Sequence, residues 1–265
     1  MVIYPVFSRS SVGDEIVKLV RAKRKVAFAG DDKCMTEVRR KRNLGIYTDL
    51  IACEPFLPEL QKFSLVLKTV KETDRESIAY VKLDAPYRGE EFLLPEGLQN
   101  AVKQLSVLLF PASNMHAKSL PAETVGRIVD SLIEFGGIRE VFVVLESSEN
   151  HLFENAFSKT SDRVKIVTGQ SLRTVFSMIQ SAALVISVDS APAHIAMILG
   201  KPTMVLLSGA FFGRCFPVQH ENLECVYYTM DCFQCEGNCP YEEPECLTKL
   251  DVRLVMEKVQ ALLKD

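Results

Sequence analysis

No stretch of this 265-residue chain reaches the ~20 uninterrupted apolar residues a helix needs to cross a bilayer. The N-terminus, MVIYPVFSRSS, lacks the basic start and long apolar core of a secretory signal. Both absences predict a cytoplasmic protein. Its eight cysteines are then expected to be reduced or metal-bound, not paired in structural disulfides. No GxGxxG fingerprint and no GxxxxGK[ST] loop occurs, which weighs against NAD binding and against a P-loop NTPase. No sign of charge dominates: the net charge of −3 gives no global case for nucleic acid. Tryptophan is absent, and there is no internal repeat or low-complexity tract.

What remains is an ordinary globular composition, 48% hydrophobic and 25% charged. A chain of this length buries roughly 70–75% of its unfolded surface, enough for one large domain or two small ones. One local imbalance stands out. Arg21, Lys23, Arg24, Lys25, Lys33, Arg39, Arg40, Lys41 and Arg42 crowd a short N-terminal region. Most such runs are solvated faces; the alternative is a patch that meets an anionic membrane surface, here the inner membrane, or an acidic acceptor.

From about Ser106 the pattern is regular. Apolar runs at Val107–Phe110, Glu140–Leu145, Val164–Val167, Leu184–Val188 and Thr203–Leu207 read as buried strands. They alternate with helical patterns at Pro121–Phe135, Ser171–Ala182 and after Pro192. Such alternation implies βαβ units and a parallel sheet covered on both faces. Before residue 100 the pattern is weaker: a helix at Ile16–Arg21, a strand at Lys25–Gly30, and a hairpin or linker strand at Ser77–Glu91. The reading is a partial α/β domain over 1–98, a larger α/β domain over 99–250, and a C-terminal helix over 251–265 packing back toward the N-terminal half.

The richest segment is Leu184–Pro202, LVISVDSAPAHIAMILGKP. It reads as a strand, a tight turn at Asp189-Ser190-Ala191, and a helix with Pro192 in its first turn and Gly200 at its end. Asp189 or Ser190 is placed to cap the helix. A strand that ends in small residues and opens a helix gathers N–H donors and the positive end of the helix dipole, a ready phosphate site. The plain alternative is an ordinary crossover of an α/β sheet. Ligands of open α/β sheets bind beyond the carboxyl ends of the strands. Three further loops leave strands at that edge: Pro111–Pro121, with Ser113, Asn114 and Lys118; Thr168–Ser171; and Ser208–Arg214, with Gly209 and Arg214. The first carries the hydroxyl, amide and ammonium groups that suit a diphosphate. His194, in the first turn of its helix, is either a core-lining histidine or a hydrogen-bond partner for phosphate or sugar.

The second signal is Cys232-x2-Cys235-x3-Cys239-x6-Cys246, four thiols in fifteen residues with turn formers between them. Soft thiolates at this density suit a structural zinc, and iron–sulfur ligation fits the same ligand type. Free or redox-paired thiols are the competing reading. Cys215 and Cys225 are reserves; Cys34 and Cys53 read as core or lone thiols.

At these residues the chain resembles glycosyltransferase family 9, the ADP-heptose:lipopolysaccharide heptosyltransferases and their relatives. DSAPAHIAMILGKPTMVLLSG is similar to the family's Asp-Ser-Gly-Pro-x-His signature, with Ala191 in place of glycine. LLFPASNMHAKSLPAE resembles its Lys-x-Trp-Pro loop, with Leu120 where tryptophan is common. GAFFGRCFPV and the cysteines resemble a subgroup with Gly-Arg-Phe-x-Pro and a similar Cys set. The resemblance covers roughly residues 100–263. It implies an α/β, GT-B-like architecture: a Rossmann-like doubly wound parallel sheet in the C-terminal half and a shortened N-terminal α/β half, facing each other across a cleft. It further implies transfer of a sugar from a nucleotide-diphosphate donor such as ADP-heptose to a lipopolysaccharide-type or other saccharide acceptor, with no cofactor or metal at the reaction centre. Carried over, Ser113, Asn114 and Lys118 hold donor phosphates or sugar, Ser190, Ala191 and His194 lie at the diphosphate, and Asp189 contacts the transferred sugar. Ser10-Ser11-Val12-Gly13-Asp14 copies the family's Ser-Ser-x-Gly-Asp run, whose aspartate is the catalytic base. Its short spacing to KVAFAGDD also fits the middle of a shortened acceptor domain, in which Asp14 has no such role. The alternative function is therefore a nucleotide-sugar-binding module without turnover. A metal- or cluster-bearing redox protein is the third reading.

Overall fold

The computed structural model describes residues 1–71, 106–149, 153, 162–218 and 220–264. The expected hairpin at 77–91 and the 98/99 boundary lie outside them. The chain forms two compact units, one from Met1–Ala79 with Gly213–Cys215, the other from Tyr80–Phe212 with Phe216–Asp265.

The first unit is built on three parallel strands in the order β1-β2-β3: β1 (Val2–Tyr4), β2 (Lys25–Phe28) and β3 (Asp49–Ile51). Helices α1 (Ser11–Leu19) and α2 (Glu37–Asn43) connect them, and α3 (Glu59–Lys71) follows. Successive strand residues face opposite sides. Val26 and Phe28 therefore join Phe7, Ile51 and Val66 in one apolar cluster, while Ala27 joins Val17 and Tyr47 in another. Helix α1 begins at Ser11, not at the expected Ile16, because Ser10 caps it by accepting the Gly13 N–H.

The predicted basic patch is partly spent within the fold. Arg24 pairs with Asp49, Arg40 with Asp32 and Lys41 with Glu37. The Lys25 ammonium donates to the carbonyl of Val17.

The second unit carries a six-stranded, all-parallel sheet in the order β6-β5-β4-β7-β8-β9. The strands are β4 (Ser106–Phe110), β5 (Glu140–Leu145), β6 (Val164–Thr168), β7 (Leu184–Val188), β8 (Thr203–Leu207) and β9 (Leu223–Tyr227). This is a doubly wound order, with its switch point between β4 and β7. Helices α4 (Ala122–Glu134), α5 (Leu172–Ser181) and α6 (Ala191–Ile198) make the crossovers, followed by α7 (Glu245–Thr248) and α8 (Val252–Leu262). Val107 and Leu109 of β4 pack with Ile128 and Leu132 of α4, while Leu108 and Phe110 face Met178 and Ile179 of α5. Apolar residues serve both faces, which is why these strands read as unbroken hydrophobic runs. The sequence reading directed α8 toward the N-terminal half; the face it buries, Val255 and Val259, lies in this C-terminal core. Strand β9 was not expected: Glu224 and Cys225 interrupt its apolar pattern at the sheet edge.

Among the described residues, no helix is long and apolar enough to cross a membrane.

Candidate active site at the sheet edge of the C-terminal unit

The parallel strands deliver their following loops to one edge. The loop after β4 folds back on itself. Ser119 Oγ accepts the Ser113 N–H at 3.0 Å and donates to the Ser113 carbonyl at 3.1 Å. The Leu120 N–H donates to the Pro111 carbonyl at 2.8 Å, and the Leu120 side chain is buried. Leucine thus supplies the apolar anchor at the position where tryptophan was the expectation. A short 3₁₀ turn, His116–Lys118, then carries the Lys118 ammonium to 3.1 Å from Asp189 Oδ2.

Asp189 follows β7. Its other oxygen lies 3.8 Å from His194 Nε2. The His194 ring sits on Phe216, centroids 4.7 Å apart. Burial disfavours the Asp189 carboxylate, but the His194 side chain and the Lys118 ammonium outweigh it and hold its pKa below the ordinary value. Neither Asp189 nor Ser190 caps α6, a correction to the expected helix start. Asp189 is engaged by Lys118, and Ser190 Oγ turns back to the Val188 carbonyl at 3.3 Å. With no side-chain cap, the Ala191 N–H is the first-turn donor left for a ligand, since Pro192 has no N–H and the Ala193 N–H donates to the Ser190 carbonyl at 3.1 Å. Ala191 starts the helix without the positive φ that its glycine counterpart tolerates.

A cavity of about 690 Å³ opens at this point. Ser113, Asn114, Lys118, Asp189, Ser190 and Ala191 line it together, so six of the predicted donor residues converge. The predicted loop after β6 supplies Gln170 to the other wall, with Leu172 and Val175 of α5 beside it. Sequence reasoning missed the rest of that wall, Glu146, Ser148 and Glu149 after β5. The signal was available: the loop after β5 leaves the same edge as those after β4 and β7 and had to be counted with them.

Other assignments land elsewhere. Gly209 does not line the cavity. A Cβ there would fall 2.5 Å from the Phe233 ring, and its N–H donates to Cys246 Sγ at 3.4 Å. Arg214 belongs to the first unit, where Nε lies 3.1 Å from Glu59 Oε1. Cys232, Cys235 and Cys239 are half-buried and Cys246 is buried.

Asp14 lies in the first unit, fully buried together with Arg9. Its Oδ1 accepts from the Tyr47 hydroxyl at 2.6 Å and from Arg9 at 3.4 Å; its Oδ2 accepts from Asn43 at 2.9 Å. Each letter around it has a local reason. Ser10 caps the helix, and Gly13 leaves room for Tyr4, whose hydroxyl would lie 2.1 Å from a Cβ. As placed, this carboxylate has no open path to an acceptor hydroxyl, which counts against its expected role as a base.

The doubly wound parallel sheet and the second α/β unit define an α/β, GT-B-like architecture. Residues 55–241 match glycosyltransferase family 9 (heptosyltransferase), and the chain belongs to that family. Solved structures agree on the fold. The structure of E. coli ADP-heptose LPS heptosyltransferase II superposes with a TM-score of 0.66 at 13% identity, covering 98% of this chain and 75% of that one. A glycosyl transferase family 9 protein from Veillonella parvula gives 0.67 at 13% identity, covering 99% and 74%. E. coli heptosyltransferase WaaC with ADP-2-deoxy-2-fluoro heptose gives 0.58 at 14% identity, covering 94% and 69%. A search of curated protein sequences finds no match.

Proposed function

We propose that the chain transfers a sugar, heptose being the first choice, from an ADP-sugar-type donor to a saccharide acceptor of lipopolysaccharide type. The observation that carries this reading is the single cavity that joins Lys118 and Asp189 to the uncapped start of α6. The diphosphate takes the Ser190–Ala191 turn and Lys118, with Ser113 and Asn114 as further donors. Its nucleoside runs along Val144, Gln170, Leu172 and Val175, with Glu146 or Glu149 accepting from ribose hydroxyls. Asp189 faces the transferred sugar and is oriented by Lys118 and His194.

In an inverting transfer the acceptor hydroxyl attacks the anomeric carbon, a base takes its proton, and the bond to the diphosphate breaks. Negative charge grows on the departing diphosphate. Lys118, the Ala191 amide and the positive end of the α6 dipole meet it, preorganised and partly shielded from water, without a catalytic metal. Asp14 positions α1 against α2 through Asn43 and Tyr47; the base is another group. Peripheral contact with an anionic membrane would fall to exposed cations of α2, Arg39 and Arg42.

The burial of Asp14 also favours a second reading, a nucleotide-sugar-binding module without turnover. Calorimetric titration with ADP and UDP tests donor binding, and a transfer assay with ADP-heptose and a lipopolysaccharide core acceptor tests turnover. Tight ADP binding with product formation supports the enzyme; binding without product supports the module. No binding of either nucleotide removes both.

A further inference from the structure

We propose that Cys232, Cys235, Cys239 and Cys246 form a thiolate metal centre that clasps two loops of the donor cavity and so sets the position of Lys118. The metal site stands on its own observations; the clasp rests on the donor-site reading above.

The backbone between the first three cysteines is wound tightly. Gln234, Glu236 and Gly237 have φ of 66°, 55° and 87°. Non-glycine residues are uncommon in this left-handed region and persist where surrounding contacts hold them. Here the contacts are backbone bonds to the loop after β8. The Gln234 N–H donates to the Gly209 carbonyl at 2.6 Å, and the Glu236 N–H to the Ala210 carbonyl at 2.9 Å. The fourth cysteine closes the arrangement from α7, where Cys246 Sγ accepts the Gly209 N–H. Burial pushes the Cys246 thiol above its ordinary pKa, and the nearby Cys239, Cys232 and Cys235 push it the same way. Among the described residues no three of these sulfurs lie within 4.8 Å of one another. A tetrahedral ion with Zn–S bonds of ~2.3 Å would draw them to roughly 3.8 Å apart. Binding releases the thiol protons as the four S–metal bonds form.

The cysteine segment touches both cavity loops. Phe233 packs against Gly209, two residues before Phe211, whose ring centroid lies 5.8 Å from Lys118 Nζ. Gly237 seats Met115: a Cβ at Gly237 would fall 2.7 Å from Met115 Cε. The Met115 carbonyl accepts the Lys118 N–H at 2.9 Å. Drawing the sulfurs together therefore tightens Met115 and Phe211 on either side of the lysine that would hold the diphosphate.

The test uses the full chain purified without oxygen and without added metal. Elemental analysis reads zinc and iron separately, and native and denatured thiol counts accompany it. The proposal expects about one zinc or iron per chain that survives desalting, and loss of it in Cys232→Ser and Cys239→Ser. Cys34→Ser, exposed and remote in sequence, keeps it. Removing the metal from the unmutated chain with a mercurial reagent and a chelator, then freeing the cysteines with excess dithiothreitol and desalting, should weaken ADP binding about tenfold, and adding zinc or ferrous iron back should restore it. This reversal separates the clasp from a variant that merely misfolds. A metal-free chain with four reactive thiols, a pair of disulfides, or metal content unchanged in both serine variants overturns the centre. Bound metal with ADP affinity indifferent to its removal overturns the clasp. Bound metal with no ADP binding at all leaves the centre standing and removes the donor-site reading instead.

Discussion

The two units use the same parallel βαβ scheme and fill their interiors differently. In the C-terminal unit, strands of five or six residues bury apolar side chains on both faces, no charged side chain among the described residues is buried, and Lys118 and Asp189 stand at the sheet edge where the cavity lies. In the N-terminal unit, strands of three or four residues leave a small core, and Arg9, Asp14, Asn43 and Lys62 are buried within it. A charge displayed at a sheet edge is available to a ligand. A charge locked inside is engaged by its neighbours. The same residue type, aspartate, therefore reads as a ligand contact at 189 and as a structural element at 14.

Substitutions can break this contrast. The largest effect belongs to Asp14→Ala. Removing one partner of a buried ion pair costs about 3–5 kcal/mol, because the other charge is left uncompensated. Chemical denaturation should show the N-terminal unit destabilised by that amount, while ADP binding persists. Loss of ADP binding with unchanged stability would reverse the roles assigned to the two aspartates.

Lys118→Met comes next. A hydrogen bond to a charged group contributes about 1.5–3 kcal/mol, so ADP affinity should fall on the order of 10- to 100-fold by calorimetry. Ser119→Ala is smaller. It loses the two bonds that fold the loop after β4, at about 1 kcal/mol each, and should weaken ADP binding severalfold through Lys118.

The least effect is on pH dependence. The folded pKa of Asp189 lies below its unfolded value, so its contribution is fully present above the ordinary carboxylate range. That contribution is lost as pH falls from there through the lower folded value. Urea midpoints measured from pH 6 to pH 3 should fall less steeply for Asp189→Asn than for the unmutated chain. Parallel curves would show that Asp189 is not stabilised by Lys118 and His194.

The same contrast decided what could be read from the residues. Each of β4 to β8 is within a residue of its expected span, because unbroken apolar runs flanked by helical periodicity have few alternatives. Strands β1 and β3 are too short for a period of two to show, and α2, EVRRKRN, offers a single apolar residue. At the site, the loops after β4 and β7 were legible because each combines small residues with a polar group at a strand end. The loop after β5 carries serines and glutamates that look like any surface turn. Gly209 shows the opposite error: its glycine serves the close approach of Phe233, which only the fold reveals. Asp14 sits in a run of letters that suggests catalysis, and only its three buried donors, Arg9, Asn43 and Tyr47, expose another use.

A crystal structure with ADP tests the central claim most directly. The account predicts the diphosphate within hydrogen-bond distance of the Ala191 amide and Lys118 Nζ, with the adenosine extending toward Gln170 and Leu172. A diphosphate seated anywhere else on the chain, with the Lys118–Asp189 pair undisturbed, would contradict it.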